Sequence, residues 1–404
     1  MTSAPNGEMI KELLQRGVEA VYPNEDFLKR RLLSGEKLKV YLGIDPTGPT
    51  LHLGHVIALK KLRSFQDLGH EATLLIGDFT ATIGDPTDKT SARKELSKEE
   101  VGLNERLYKE QAGKVLSFEG GNPASLRHNS EWFEKMSFAD TLKLSSYLTY
   151  SQIIKRGMFQ ERIAEEKDLY IHEFLYPLMQ GYDSVAMDVD GEVGGNDQAF
   201  NMLVGRDLMK RMKGKEKFVI AIKLLEDSSG RKMGKTEGNM VSLSDFPSDM
   251  FGKIMSWSDD LIMPGFELVS TVPYEELSFI EKELREGASP KDLKARLAEN
   301  LVSMVHGPDK ARAAATNFSE VFSGGKMPED AAGISLPSGA TVAEFADELV
   351  KNGIVGSKSA FRRLLDDGAV RTLSDEKISP EHVFKNDVDL KVGKRRFVKV
   401  GVRK

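Results

Sequence analysis

The sequence has no cysteine in 404 residues, which excludes disulfides, thiolate zinc sites and a cysteine nucleophile. Long apolar runs are also missing. The most hydrophobic stretches, "ATLLIG" and "KFVIAI", are strand-sized, far below the ~18 residues that cross a membrane. The N-terminus "MTSAPNGEMIKELLQRG" has no basic segment followed by an apolar one, so no export signal is expected and the chain reads as cytoplasmic. Positive charge is not in excess: the net charge of -5 argues against polyanion binding by the whole surface and leaves room for local basic patches. What is present, 40% hydrophobic and 29% charged residues, is the composition of a globular protein. Its length exceeds one ordinary core, so two or three domains are expected.

Residues 8–36 show apolar positions at helical spacing and are expected to be helices. From Leu38 the pattern changes. "KVYLGI", "EATLLIGD" and "FVIAIKLL" read as buried strands, with a helix from about Gly54 to Leu68 between the first two. Strands alternating with helices predict an α/β fold with a doubly wound, parallel, Rossmann-like sheet, whose ligand site lies beyond the carboxyl ends of the strands. Residues 95–175 are mostly helical and polar, as an insertion between the halves of such a sheet would be. Residues 245–320 lose the strand signal and read as helices, as in "YEELSFIEKELREG". The Gly/Pro/Ser-rich passage "SGGKMPEDAAGISLPSGA" then separates a small C-terminal domain.

Two stretches carry chemistry. In "YLGIDPTGPTLHLGH", Pro46, Gly48 and Pro49 punctuate a strand end, and His52 and His55 lie on one face at the start of the following helix. There, unpaired backbone amides and the helix dipole favour an anion. The pair admits three readings: metal ligands, core or capping residues, or a phosphate site. A metal would need a third ligand, and no recognisable ligand spacing supplies one. The second stretch, "EDSSGRKMGKTEGNM", nearly spells the nucleotide loop GxxxxGK[ST], but Ser229 stands where its first glycine belongs and the following "EGNMVSL" is a poor helix start. What remains is a glycine-containing loop carrying Lys232 and Lys235, which alone also fits a solvated turn.

Taken together, a histidine pair at the first strand-to-helix junction and a late KMxK[ST] loop make the sequence resemble the class I aminoacyl-tRNA synthetases. "HLGH" is similar to that family's HIGH motif, and "KMGKT" to its KMSKS motif, with departures at Gly234 and Thr236 that do not supply the ammonium groups. The stretches "IGDPTDKTSAR", "YPLMQGYD" and "GGNDQAFN", in this order, extend the resemblance to the bacterial-type tyrosyl enzymes over nearly the whole chain.

That resemblance implies a tyrosine--tRNA ligase that forms tyrosyl-adenylate and pyrophosphate from tyrosine and ATP, then transfers tyrosine to the 3′-terminal adenosine of its tRNA. For tyrosine it implies Tyr41 and Asp183 at the phenol; Tyr176, Gln180 and Asp85 at the ammonium; and Gln198 lining the pocket. Buried polar partners suit this task, because a phenyl ring leaves them unpaired. For ATP it implies Thr47 and His52 at the phosphates, with Gly43, Asp45, Gly54, His55, Gly195 and Asp197 around the nucleotide. Lys232, Lys235 and Thr236 on the late loop, with Lys89 and Arg93 of "DKTSAR", would meet the leaving pyrophosphate. Magnesium would accompany ATP rather than sit in a protein cage, and no tightly bound cofactor is implied.

Spacing gives partial independent support, since residues 176, 180 and 183 share one helical face, with Pro177 implying that the helix begins or kinks at Tyr176. The implied organisation is a catalytic domain over 1–240, with an insertion and dimer interface at about 115–190; a helical anticodon-side domain over 241–322; a linker over 323–338; and a ribosomal-protein-like α+β RNA-binding domain over 339–404. Phe133, Tyr147, Leu148 and Tyr150 are candidate homodimer contacts. For tRNA, Ser357 reads as a cap for a helix with Lys358, Arg362 and Arg363 outward and Phe361, Leu364 and Leu365 inward. The last 14 residues, "KVGKRRFVKVGVRK", alternate like a half-buried strand and bring Lys394, Arg395 and Arg396. The alternatives are a tryptophanyl-tRNA synthetase, which shares fold and signatures, and a noncatalytic RNA-binding relative.

Overall fold

The computed structural model describes residues 7–87, 96–230, 232, 240–324, 331–355, 357–393 and 396–403. The strands foreseen from apolar runs form the middle of one sheet: β2 (Lys39–Ile44), β3 (Glu71–Ile76) and β6 (Phe218–Ile222). Val40, Tyr41, Leu74, Leu75 and all five residues of β6 are buried. Such near-continuous burial is what helices on both faces of a parallel sheet impose. With β1 (Val18–Tyr22), β4 (Ser125–His128) and β5 (Gly191–Gly195), the order is β1-β6-β5-β2-β3-β4. Every pairing is parallel except that of edge strand β1 with β6. From β2 the chain winds outward through β3 and β4, then returns to β5 on the other side. The winding therefore reverses between β2 and β5, and the crevice beyond their carboxyl ends is where a doubly wound sheet binds ligands.

Three strands differ from the sequence expectation. Residues 8–36 are not all helical: helices Gly7–Gln15 and Glu25–Leu33 flank β1, whose five residues are too short to stand out between them. The polar segment 95–175 contains β4 among short helices. β5, "GEVGG", has almost no strand propensity of its own, and packing explains its glycines. A Cβ at Gly191 would sit 2.0 Å from the Phe218 ring, and one at Gly195 2.4 Å from Asp197 Oδ1.

The helix bearing Tyr176, Gln180 and Asp183 spans Ile171–Met187, so it does not begin at Tyr176, and Pro177 lies in its interior. Its true start is set by Glu173, which accepts the Tyr170 backbone N–H at 2.9 Å and is gripped by the buried Arg162, Nη1 to Oε1 2.7 Å and Nη2 to Oε2 3.0 Å.

Two compact units divide the chain. The first, Met1–Ser244 with Ser258–Gly287, contains the six-stranded sheet. Within it the π-helical turn Gly265–Val269 is held by cations at its carboxyl end. Arg16 donates to the carbonyls of Glu267, Val272, Phe266 and Ser270 at 2.7–3.0 Å, and Lys60 to that of Val269 at 3.1 Å. The second unit, Asp245–Trp257 with Ala288–Lys404, holds helices Pro247–Met255, Pro290–His306 and Pro308–Gly324. It also holds a four-stranded sheet of order β7-β12-β11-β9, from β7 (Ala332–Pro337), β9 (Val370–Thr372), β11 (Val388–Val392) and β12 (Arg396–Arg403). A short pair, β8 (Ala340–Thr341) with β10 (Val383–Phe384), lies beside them in sequence. Phe345, Phe361, Phe384, Leu390 and Val398 lie in this part's own core. The basic C-terminal stretch is thus not one strand: it begins in the last residues of β11, turns, and runs out along β12, where Val398 and Val400 are buried and Lys399 is exposed. No helix among the described residues is long and apolar enough to cross a membrane.

Candidate active site

The crevice between β2 and β5 opens into a cavity of about 800 Å³. The loop leaving β2 is fixed from outside: Asn104 Nδ2 donates to Pro46 O at 3.0 Å, Tyr108 OH to Gly48 O at 2.7 Å and Gln111 Nε2 to Pro49 O at 3.1 Å. This delivers His52 as the N-cap of helix Leu53–Asp67. His52 Nδ1 accepts the Gly54 N–H at 3.1 Å, and His55 Nδ1 accepts the His52 N–H at 3.1 Å. Capping is therefore one role of the pair, and it has a chemical consequence. With each Nδ1 an acceptor, the proton of each neutral ring sits on Nε2. Burial, then the neighbouring His52, pushes His55 well below the ordinary histidine value, so its ring is a neutral donor. Among the described residues no group of three His, Asp or Glu side chains could hold a metal ion.

At the inner end of the cavity Tyr41 and Asp183 are 0% and 3% exposed. Leu75, Val189, Trp132 and Met187 pack about Tyr41. Asp183 accepts from Trp132 Nε1 at 2.9 Å and Asn129 Nδ2 at 3.4 Å, and Tyr41 OH shares a 3.0 Å hydrogen bond with Ser184 Oγ. Burial raises Asp183 well above the usual aspartate range, against those two donors. Burial, then Glu192 and Asp183, raises Tyr41 in the same sense, so its hydroxyl keeps its proton.

Next along the cavity, Tyr176 OH donates to Asp45 Oδ2 at 2.7 Å, whose Oδ1 accepts from Thr80 at 2.8 Å. Gln198 Nε2 donates to Asp85 Oδ2 at 2.8 Å, while Asp85 Oδ1 accepts from Thr87 Oγ1 at 2.7 Å. Asn201 Nδ2 joins Gln180 and Gln198 at 2.9 and 3.0 Å. Toward the outer side lie Gly43, Thr47 and Gly54, and beyond β5 Gly195 and Asp197, whose Oδ2 accepts from Lys232 Nζ at 3.3 Å. All the expected tyrosine and nucleotide residues within the described part of the chain therefore line one cavity. Lys89, Arg93, Lys235 and Thr236 lie outside the described residues, as do Lys394 and Arg395.

Elsewhere, Ser357 caps helix Lys358–Asp366, with Phe361 and Leu365 buried and Arg362 and Arg363 exposed. Lys358 is ion-paired with Asp347, and Arg396 is exposed on β12. Of the four aromatic and aliphatic candidates for a subunit contact, only Tyr150 is exposed, at 65%. Phe133 is buried, and Tyr147 and Leu148 pack against the core around Leu178 and Leu208. The exposed apolar side chains of this region also include Phe138, Leu142 and Ile171, at 77%, 56% and 80%.

Sequence reasoning missed Asn129 and Trp132, which hold Asp183, and Ser184, Glu192 and Lys217, which lie beneath Tyr41. The signals were faint: one of only two tryptophans, and single charged residues inside or beside apolar strands.

Comparison with known proteins agrees with this geometry. Residues 33–323 match the family described as tRNA synthetases class I (W and Y). A tyrosine--tRNA ligase from Carboxydothermus hydrogenoformans is 40% identical over 403 residues, covering 96% of this chain and 97% of that protein. Tyrosine--tRNA ligase 2 of Vibrio cholerae is 40% identical over 400 residues, covering 96% and 98%. The crystal structure of an Archaeoglobus fulgidus tyrosyl-tRNA synthetase complexed with L-tyrosine, 23% identical, has the same fold with a TM-score of 0.62 over 76% of this chain and 99% of its own. A sheet whose winding reverses at a histidine-capped helix, a buried Tyr–Asp pair and full-length relatives at this identity have one reading: the chain belongs to the class I tRNA synthetases of the tryptophan and tyrosine type, within the tyrosine--tRNA ligases.

Proposed function

We propose that the cavity binds tyrosine and ATP side by side and joins them as tyrosyl-adenylate, the first half of this chain's tyrosine--tRNA ligase activity. The observation that carries the reading is the buried Tyr41–Asp183 pair at the inner end of the cavity. Tyr41 is held by Ser184, and Asp183 by Trp132 and Asn129, and each keeps capacity for a further hydrogen bond, which a phenol, donor and acceptor at once, fits. Tyrosine's ammonium then meets Tyr176, Gln180 and Asp85, with Gln198 holding Asp85 in place. Its carboxylate faces the nucleotide side.

ATP lies along Gly43, Asp45, Thr47 and Gly54, with the Nε2–H groups of His52 and His55 toward the phosphates and Gly195 and Asp197 toward the ribose. The carboxylate attacks the α-phosphorus, an oxygen–phosphorus bond forms, and pyrophosphate leaves with the electron pair of the bond that breaks. No protein nucleophile enters, so rate comes from positioning and from cations that meet the leaving group: Lys232 and Lys235, with Thr236 beside them, and Lys89 and Arg93. Magnesium travels with ATP.

Transfer to tRNA(Tyr) draws on the C-terminal part, where Lys358, Arg362, Arg363, Lys394, Arg395 and Arg396 supply phosphate contacts, and on an anticodon-side helical region within 241–322. A homodimer through the exposed apolar surface of 138–171 fits the family and the exposure of Phe138, Tyr150 and Ile171. A cytoplasmic location fits a chain that resembles bacterial tyrosine--tRNA ligases over its length. The test is pyrophosphate exchange into ATP with each of the twenty amino acids and no tRNA. Exchange with tyrosine alone is expected; exchange with tryptophan instead overturns the phenol-reading role, and no exchange favours a noncatalytic RNA-binding relative.

A further inference from the structure

At the inner end of the cavity lies a charged pair, of which Glu192 is part of the lining. Lys217, just before β6, is 0% exposed and Glu192, in β5, is 2% exposed. Lys217 Nζ donates to the Glu192 carboxylate and, at 2.8 Å, to Ser184 Oγ, and it lies 5.8 Å from the centre of the Tyr41 ring. Glu192 Oε1 also accepts from Gln180 Nε2 at 3.3 Å. Space has been left for this arrangement: a Cβ at Gly205 would stand 2.7 Å from Lys217 Nζ and 2.9 Å from Ser184 Oγ.

Counting protons gives the network a direction. A lysine ammonium only donates, so Ser184 Oγ is an acceptor towards Lys217. Ser184 is fully buried and has one hydroxyl hydrogen; among the described residues its oxygen meets Lys217 and Tyr41. If Tyr41 also donated to it, that hydrogen would be left unpaired in a buried site, which is the costly outcome. The favoured arrangement is Lys217 to Ser184 to Tyr41, with Tyr41 as acceptor. Tyr41 then has its own hydrogen to give on the cavity side, where Glu192 and Asp183 are the carboxylates beside it. Glu192 balances the lysine charge, and burial with that carboxylate raises Tyr41 so that the proton stays on.

We propose that Lys217, counter-charged by Glu192, is a positioning residue that turns the hydroxyl proton of Tyr41 towards the para-hydroxyl of the bound amino acid, and thereby contributes to telling tyrosine from phenylalanine. The inference rests on Tyr41 being the phenol-binding residue. It is tested by pyrophosphate exchange with tyrosine and with phenylalanine in Tyr41→Phe, Lys217→Met, Lys217→Met/Glu192→Gln and Lys217→Met/Tyr41→Phe proteins. In Lys217→Met the tyrosine-to-phenylalanine ratio of kcat/KM is expected to fall about tenfold, the worth of one hydrogen bond. The fall comes through KM for tyrosine, with KM for ATP unchanged. The Lys217→Met/Glu192→Gln protein leaves no unpaired buried charge and is expected to show the same ratio at near wild-type Tm. Once Tyr41 is Phe, removing Lys217 is expected to have no further effect on the ratio. A ratio that drops in Tyr41→Phe but not in the two lysine variants overturns the role of Lys217 alone. Equal losses with both amino acids overturn it too, marking a structural role. A ratio unmoved in Tyr41→Phe overturns the phenol reading and this inference with it.

Discussion

His52 serves the fold and the chemistry through different nitrogens. Nδ1 caps a helix, while the ring's proton on Nε2 is available to a phosphate oxygen. His52→Ala is therefore expected to show two separable effects. Unfolding in urea should register about 1 kcal/mol of lost stability for the missing cap. The rate of adenylate formation should fall roughly 100-fold for a lost transition-state donor, with the dissociation constant for tyrosine nearly kept; a large loss of tyrosine binding contradicts the assignment. Asp183 makes a pH prediction. Burial raises its carboxyl, and the anionic form is the better acceptor for a phenol O–H. As pH falls through that raised value the acceptor is protonated, so kcat/KM for tyrosine should decline on its acid limb above the ordinary aspartate value of about 3.9. In Asp183→Asn this limb should disappear from a residual rate. Tyr41, Asp183, His52 and Lys232 were legible because they sit in ordered motifs. Lys217, Glu192 and Ser184 were not, because a buried charge is legible only beside its partner, and these partners come from three different elements.

Among the elements, the helix Ile171–Met187 carries three residues of the cavity, and its placement depends on the buried Arg162–Glu173 pair. Arg162→Met leaves Glu173 buried without its partner and is expected to cost about 3–5 kcal/mol. Arg162→Met combined with Glu173→Gln should recover most of that, as measured by urea unfolding; no recovery means the arginine acts by packing alone. Sequence left open a start or a kink at Tyr176, and the earlier start at Ile171 was hidden because tyrosine is an uncommon cap and Pro177 is a strong breaker signal. Propensity likewise hid β5, whose glycines are explained by Phe218, Met202, Asp197 and Leu224 pressing on them. By contrast β2, β3 and β6 were plain, since full burial demands continuous apolar sequence.

For the whole molecule, the described lining of the cavity comes from residues 41–232, within one compact unit, while the C-terminal sheet has a core of its own. Removing residues 331–404 is therefore expected to leave tyrosine-dependent pyrophosphate exchange within about twofold. The KM for tRNA in aminoacylation should rise at least tenfold, with a shallower salt dependence from the lost phosphate contacts. Loss of exchange in the truncated protein would mean that the first unit does not hold the site alone. The loss of strand signal after 245 and the Gly/Pro/Ser-rich passage read in sequence as boundaries between a catalytic, a helical and a C-terminal domain, whereas the packing of Ser258–Gly287 with the first unit through Arg16 and Lys60 depends on carbonyls that no side-chain pattern reports. The most direct measurement is a crystal structure with tyrosine bound. The account predicts the phenol oxygen within hydrogen-bonding distance, about 2.5–3.0 Å, of both Tyr41 Oη and an Asp183 carboxylate oxygen, with the ammonium toward Tyr176 and Gln180. A ring pointing toward His52 and Asp197, with Asp183 still held only by Trp132 and Asn129, would contradict it.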